Sequence, residues 1–307
     1  MPITSPITGK PNVKLEKTIS RQAIIDSYKR IKPTGVDVSR FFNDTKEIKI
    51  YRCLDSGYLF YYPLNIAGDD KFYQELEKFP WYYMDWKWEH QKSFDLINVS
   101  DKVLEIGCAH GVFLERLKNK GAIVTGLEMN SSAIQDCQNK SLNVYADTIQ
   151  NFSQTNKDVF DTVCSFQVLE HVTDVKSFIE SALQVLKHGG QMIISVPNNE
   201  SFMLRDFESA TNFPPHHMGL WNINSLISLQ NYFGMKLQKL YIEPLQPYHV
   251  SFAKIKAEKY IDAKLKNKFK INPKLIKRFI TRLSSIGVYA LTDEIIGHSL
   301  MCVYKKK

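Results

Sequence analysis

The 307-residue sequence has no run of 18 consecutive apolar residues and no cysteine pair of the C-x-x-C type. The first absence excludes a membrane-spanning helix, which needs about 20 apolar residues. The five scattered cysteines exclude a zinc ribbon and a disulfide framework, and they indicate reduced thiols. The N-terminus also lacks the apolar core of a secretory signal. We therefore expect a cytoplasmic protein.

The sequence carries more positive than negative charge. Hydrophobic residues make up 44% and charged residues 23%, as in a globular protein, and the net charge is +8. Residues 251–282 contain eleven basic residues against two acidic ones, so this segment carries the whole excess. Such a segment attracts an anionic partner. The alternatives are a solvated helical face, capture of a nucleotide sugar or acidic glycan, and peripheral contact with an anionic membrane; nucleic acid ranks last.

Short apolar runs alternate with helical periodicity between residues 102 and 241, which predicts an α/β fold with parallel strands and helices on both faces. The predicted strands are Lys102–Gly107, Ala122–Met129, Asn143–Asp147, Asp161–Gln167, Gly190–Asn198, Lys236–Ile242 and His298–Tyr304. The predicted helices cover 111–121, 131–139 with Ser131 as N-cap, 175–187, and 223–233 with Asn222 as cap.

Two regions lie outside this core. Residues 1–90 form an accessory region, in which 12 of the 31 residues from Tyr58 to Trp88 are aromatic. We expect most of these rings to pack on the core and some to form a lid over a flat ligand. Residues 91–307 form the main domain, with a basic helical insertion at about 251–287 before the last strand.

The turn after the first predicted strand reads E-I-G-C-A-H-G and has small residues at 107, 109 and 111. Small residues there let the backbone approach a ligand closely. The spacing does not fit the G-x-G-x-x-G of a dinucleotide site. It resembles motif I of the class I S-adenosylmethionine (SAM)-dependent methyltransferases, E/D-x-G-x-G-x-G, with Ala109 replacing the middle glycine.

Further segments follow in that family's order. Glu128 ends the second strand, 21 residues after Gly107, where a carboxylate can accept hydrogen bonds from ribose hydroxyls. Asp147 ends the third strand, and F-D-T-V-C-S-F-Q-V-L-E-H-V resembles the family's motif around the methyl donor. L-K-H-G-G-Q resembles its turn into the fifth strand.

The resemblance implies a Rossmann-like seven-stranded methyltransferase sheet, with SAM as cofactor and S-adenosylhomocysteine (SAH) as product. Carboxylates suit this cationic cofactor and would repel a pyrophosphate. The implied cofactor residues are Glu105, Gly107, Cys108, Ala109 and Gly111 in the turn, Glu128 and Met129 after the second strand, Asp147 and Thr148 after the third, and Phe166 and Gln167 after the fourth.

Three histidines are the candidate catalytic residues. Methyl transfer to an oxygen of high pKa requires in-line positioning and usually a general base. His216 and His217 are preferred as the base, because Pro214 and Pro215 fix the backbone of their loop. His171 follows the fourth strand, and we favour a role in supporting the cofactor pocket over proton transfer.

The loop F-P-P-H-H at 213–217 and the segment at 66–90, before the core, resemble methyltransferases of bacterial surface-polysaccharide gene clusters. This resemblance implies a sugar hydroxyl as acceptor, nucleotide-linked or lipid-linked, and a lid of Tyr82, Tyr83, Trp86 and Glu89. Ser5–Gly9 stands where some relatives carry a C-P-x-C-G knuckle, so we predict no metal there. The alternatives are methylation of a lipid, quinone or other small metabolite, N-methylation of an aminosugar, and SAM binding without catalysis.

Overall fold

The computed structural model describes residues 2–31, 34–80, 82–201, 209–251, 253, 255 and 296–307. Its strands are β1 (Val13–Ser20), β2 (Glu47–Cys53), β3 (Leu59–Tyr62), β4 (Lys102–Ile106), β5 (Ile123–Leu127), β6 (Val144–Tyr145), β7 (Phe160–Phe166), β8 (Leu186–Pro197), β9 (Gly219–Leu220), β10 (Met235–Pro244) and β11 (Ile296–Lys306). Its helices are α1 (Arg21–Lys29), α2 (Asp70–Glu77), α3 (Trp88–Leu96), α4 (Val112–Lys120), α5 (Ser131–Asn139), α6 (Ile149–Thr155), α7 (Val175–Val185) and α8 (Ile223–Ser228). None of these described helices is long and apolar enough to cross a bilayer.

Most of the predicted basic insertion at 251–287 lies outside the described residues. Its expected contacts with a substrate or a membrane therefore stay predictions. The division of the chain at residue 90 stays a prediction as well.

Seven strands form the central sheet of the described chain, in the order β10-β11-β8-β7-β4-β5-β6. From β6 to β8 neighbouring strands are parallel, whereas β11 lies antiparallel between β8 and β10. The inner strands are nearly continuous buried runs, as expected of a sheet covered on both faces. The predicted α/β fold is confirmed. The strand order reverses at β4, and such a point opens a crevice at the carboxyl ends of the strands.

A second sheet, antiparallel, contains β1, β2, β3 and β9. β9 follows the histidine pair in sequence, and its Gly219 pairs with Phe60 of β3. Burial of Tyr58, Phe60 and Tyr61 accounts for part of the aromatic content. The N-terminal region thus contributes a packed layer of its own.

The N-terminal region also holds the F-P-P-H-H loop by hydrogen bonds. The hydroxyl of Tyr28 donates to the Phe213 carbonyl at 2.8 Å, and the Gly68 amide donates to the Pro215 carbonyl at 2.8 Å. These bonds fix the backbone that carries the histidine pair. The region that the sequence predicts to be a lid is therefore also a support for the loop.

The first turn of α5 differs from the prediction. Asn130, not Ser131, is the N-cap, and its side chain accepts a hydrogen bond from the Ser132 amide at 3.0 Å. The reason is that β5 ends at Leu127, two residues earlier than predicted, so the extended backbone that an N-cap needs falls on Asn130.

The helix predicted over 223–233 is shorter than expected. Asn222 caps it as predicted, but α8 ends at Ser228 and a 3₁₀ turn follows at Leu229–Asn231. Such tightening is common at the C-terminal end of a helix.

Candidate active site

A cavity of about 740 Å³ opens at the carboxyl ends of β4, β5 and β7. It gathers nearly all the residues that the sequence predicts to bind the cofactor, together with the three candidate histidines. These lining residues are Glu105, Gly107, Cys108, Ala109, Glu128, Met129, Asp147, Thr148, Phe166, Gln167, His171, His216 and His217. Gly111, also predicted to bind the cofactor, is instead the N-cap of α4 outside the lining.

The turn after β4 is built on left-handed residues. Gly107 has φ +75°, and a Cβ placed there would come within 2.5 Å of Val168 Cγ2. Gly111 has φ +71°, and its Cβ would meet Leu142 Cδ1 at 2.6 Å. Ala109 adopts φ +45° in spite of its Cβ, at a cost of about 1–2 kcal/mol. The turn therefore keeps the shape of the glycine motif with alanine in the middle.

Glu128 holds this turn in place. One carboxylate oxygen, Oε2, accepts from the Ala109 amide at 2.8 Å. The other, Oε1, accepts from the amides of Met129 and Asn130 at 2.8 and 2.9 Å. A carboxylate offers about four acceptor sites, so these bonds leave about one for a ribose hydroxyl. The sequence predicts the ligand contact but not this structural role, because the amide of Ala109 lies 19 residues away.

Asp147 and Thr148 lie on the cavity wall after β6. Asp147 Oδ1 accepts from the Thr148 amide at 2.8 Å, and the Thr148 side chain caps α6. Their predicted contact with the cofactor stays a prediction.

A set of polar contacts beside the cavity joins α2 to the turn after β4 and to α5. Glu77 of α2 accepts from Asn130 Nδ2 at 2.8 Å and lies 3.4 Å from His110 Nε2. His110 Nδ1 in turn lies 2.7 Å from Asp136 Oδ2. These contacts tie the N-terminal region to the cofactor side of the central sheet.

Gln167 is, after Ala109, the second non-glycine residue of the cavity lining with a left-handed backbone, at φ +55°. Its Nε2 lies 3.1 Å from Glu89 Oε1, 3.1 Å from Ser195 Oγ and 3.3 Å from Ser299 Oγ. Strained backbone of this kind is concentrated at functional sites. The contacts join the end of β7 to α3, β8 and β11 at the cavity wall.

The predicted lid is formed in part. Tyr82, Tyr83 and Glu89 line the cavity, as the resemblance implied. Trp86 instead packs against Phe113, with the guanidinium of Arg116 3.9 Å from a ring centroid of Trp86. Trp86 therefore supports α4 from outside the cavity.

The protonated nitrogen is fixed by backbone carbonyls in two of the three histidines. His171 Nδ1 lies 2.6 Å from the His216 carbonyl oxygen, and His216 Nδ1 lies 2.7 Å from the Thr211 carbonyl oxygen. A carbonyl oxygen can only accept, so Nδ1 carries the proton in both rings. Their Nε2 atoms are therefore acceptors.

A relay of two amides fixes the third ring. Nδ1 of His217 lies 3.0 Å from Asn212 Oδ1, and Asn212 Nδ2 donates to Asn199 Oδ1. Asn199 Nδ2 donates to the carbonyl of Trp221, which fixes the orientation of both amides. Nδ1 of His217 is thus also a donor, and its Nε2 carries the free lone pair.

The three rings are in contact and uncharged. Their centroids lie 4.5 Å (His171–His216), 5.1 Å (His171–His217) and 4.5 Å (His216–His217) apart. Burial lowers the pKa of His171 to about 4 and holds the pKa of His216 and His217 well below the usual range. Burial also raises the pKa of Tyr82, so its hydroxyl donates to His216 Nε2 at 3.0 Å.

Two buried carboxyl groups complete the far side of the cavity. Burial raises the pKa of Glu170 to about 8 and that of Glu243 to about 7. Glu243 accepts from the Ser299 amide at 2.9 Å and from the Tyr248 hydroxyl at 3.0 Å. The sequence missed Glu243, whose only signal was an acidic residue directly after the predicted strand Lys236–Ile242.

A family model described as "Methyltransferase domain" matches residues 81–240, slightly more than half of the chain. The chain belongs to this methyltransferase family. The methyltransferase is similar to the ubiquinone biosynthesis O-methyltransferase of Glaesserella parasuis serovar 5 (strain SH0165), with 31% identity over 160 residues, 43% of this chain and 67% of that protein. The protein of the same name from Pectobacterium carotovorum subsp. carotovorum (strain PC1) is 30% identical over 106 residues, 33% of this chain. The methyltransferase spans 44% of the length of this Pectobacterium relative.

A solved structure shares the fold of the methyltransferase. It is a chain of the complex between the Haloferax volcanii Trm112 methyltransferase activator and a methyltransferase. It is 16% identical and has a TM-score of 0.51, covering 71% of this chain and 89% of that one. At this identity the likeness shows the fold alone.

SAM is the cofactor that the sequence predicts for the methyltransferase. The residues of the cavity fit its positively charged groups. Glu105 is buried, and its Oε2 has no hydrogen-bond partner among the described residues. Burial without a partner raises the pKa of Glu105 well above its usual range, and a cation beside it would compensate the cost of the carboxylate. Glu105, the turn and Glu128 are the residues that would hold SAM.

Proposed function

We propose that the methyltransferase transfers the methyl group of SAM to a phenolic hydroxyl of a small aromatic acceptor of the quinone type. The observation that carries the proposal is the cluster of three neutral imidazoles, His171, His216 and His217, in the cofactor cavity. The two relatives described above are named O-methyltransferases of ubiquinone biosynthesis. These names support the quinone alternative of the sequence analysis over a sugar acceptor.

The acidity of the acceptor supports the same choice. A phenol ionises near pH 10, as the tyrosine side chain does, whereas an aliphatic sugar hydroxyl is a weaker acid. A histidine whose pKa is lowered to about 4, as in His171, is a weak base. Proton transfer is more efficient when base and acid are closer in pKa, so this cluster suits the phenol better.

The walls around the cluster suit a flat ring. The centroid of Tyr73 lies 5.6 Å from that of His171, and the centroid of Tyr82 lies 5.6 Å from that of His216. Both tyrosines line the cavity. Aromatic rings pack well against such edges and faces, which favours an aromatic acceptor.

The residues of the chain bind, orient and accept a proton. When bound, SAM supplies a methyl group from its cationic sulfur, and the remainder of the cofactor leaves as neutral SAH. His216 Nε2 already accepts from Tyr82, so we place His217 ahead of His216 as the group that takes the hydroxyl proton on Nε2. Asn212 is a positioning residue, because it holds Nδ1 of His217.

A turnover assay tests this function. Wild-type protein should form SAH with a simple catechol, and His217→Ala should lower kcat about 10²- to 10⁴-fold while SAM affinity is unchanged. His188→Ala is the matched control, because that exposed ring lies outside the cavity lining, with its Nδ1 2.9 Å from the Lys307 carbonyl oxygen. Absence of SAH formation with catechol, or an unchanged rate in His217→Ala, would contradict the proposal.

A further inference from the structure

One ring nitrogen from each of His171, His216 and His217 lies within 4.8 Å of one from each of the others. We propose that these three histidines form the binding site of one divalent transition-metal cation of the zinc class. The absence of the C-P-x-C-G cysteines at Ser5–Gly9 concerns a different part of the chain. Three neutral imidazoles with an open fourth position are a known donor set for catalytic zinc.

The orientation of the rings is that of metal ligands. A metal-bound histidine almost always donates its other ring N–H to a carbonyl or carboxylate. His171 and His216 donate from Nδ1 to backbone carbonyls, and His217 donates to the side-chain oxygen of Asn212. These bonds make Nε2 the nitrogen that carries the lone pair in each ring, and the lone pair of His216 accepts from the Tyr82 hydroxyl.

The spacing of the ring nitrogens can be compared with that of an occupied site. Bonds of about 2.0–2.1 Å in a tetrahedral site hold two nitrogens about 3.4 Å apart, so nitrogens that lie within 4.8 Å of one another would each move inward by less than about 1 Å. The cation would replace the Tyr82 hydroxyl as the partner of His216 Nε2. Because the histidines line the cavity, the fourth position would face the acceptor.

A buried carboxyl group beside the cluster adds a second observation. Glu170 is 1% exposed, and its Oε2 has no hydrogen-bond partner within the part of the chain that the structure describes. Its Oε1 lies 3.9 Å from His171 Nε2. A cation nearby would favour the carboxylate form of Glu170, and this negative charge would lower the cost of bringing the cation into a buried site.

The purpose of the site rests on the proposed function. A hydroxyl coordinated to the cation loses its proton more readily, as zinc-bound water does. With the cation bound, His217 Nε2 would be a ligand and not the proton acceptor, and the hydroxyl proton would pass to water. Binding of the cation, in contrast, can be measured without any turnover.

The test is a titration of the full chain, first freed of metal by a chelator, with Co²⁺ followed by Zn²⁺. One Co²⁺ per chain should bind, with the strong visible absorption of a tetrahedral site, and Zn²⁺ should displace it, whereas Mg²⁺ should not. His216→Asn and His217→Asn should each raise the dissociation constant at least about 100-fold. Tyr82→Phe, which removes the competing hydroxyl, should keep or tighten binding.

His188→Asn is the control and should bind as wild type does, and a SAM titration of each variant verifies that it is folded. Failure of the wild-type chain to bind Co²⁺ or Zn²⁺, or wild-type affinity in both His216→Asn and His217→Asn, would overturn the site. A chain that binds the cation but methylates no phenol would lose the proposed function and keep the site.

Discussion

Replacing Gly107 by alanine is expected to raise the dissociation constant of SAM at least about 100-fold. The new Cβ would cost about 1–2 kcal/mol at φ +75° and would lie 2.5 Å from Val168 Cγ2. Relief of that clash moves the segment beside Gln167 or the turn itself, and both line the cavity. A total loss of about 3 kcal/mol corresponds to about 100-fold in affinity. Calorimetric titration of wild type and Gly107→Ala with SAM measures the two dissociation constants.

Gly9→Ala separates the clash from the backbone strain. Gly9 has φ +68°, but a Cβ there meets nothing within 4 Å. This variant should lose some thermal stability and bind SAM as wild type does. Equal SAM affinity in Gly107→Ala and Gly9→Ala would show that the turn after β4 does not bind the cofactor.

Glu128→Ala is expected to weaken SAM binding about 100- to 1,000-fold. The substitution removes three hydrogen bonds from backbone amides to a carboxylate, each worth about 1.5–3 kcal/mol, and with them the anchor of Ala109. Water replaces part of this loss, so the net effect is smaller than the sum. The same calorimetric titration checks the value.

Glu115→Ala serves as the control for Glu128→Ala. Glu115 lies nearby on α4, and its half-exposed carboxylate is 3.3 Å from Lys140 Nζ. Surface pairs of this kind contribute about 0–1 kcal/mol, so SAM affinity should be unchanged. Glu128→Gln keeps one oxygen acceptor and should fall between wild type and Glu128→Ala. Tight binding by Glu128→Ala would mean that the turn keeps its shape without the carboxylate.

Features that depend on residues close together in the chain could be predicted from the sequence. Alternating apolar runs and helical segments predict parallel strands, because both patterns depend on near neighbours. The turn residues Gly107 and Gly111 could be found for the same reason, since their spacing is a short-range property. The N-cap at Asn222 was also correct, because its partner Ser225 lies in the same turn.

Contacts between residues far apart in the chain could not be predicted. Tyr28 bonds a carbonyl 185 residues away, and Glu243 bonds an amide 56 residues away, so no sequence pattern connects these pairs. The orientation of the His217 ring depends on a relay through Asn212 and Asn199, which only the folded chain brings together. The loop motif implied a sugar acceptor, whereas the names of the relatives support the quinone alternative that we propose.

A competition between two acceptors tests the central claim most directly. Wild-type protein would receive SAM with a trideuterated methyl group and an equal mixture of a catechol and a nucleotide sugar, and mass spectrometry would follow the label. The account predicts that the label appears on a catechol oxygen, with one SAH formed for each methyl group transferred. Label on the nucleotide sugar, or on neither acceptor, would contradict it.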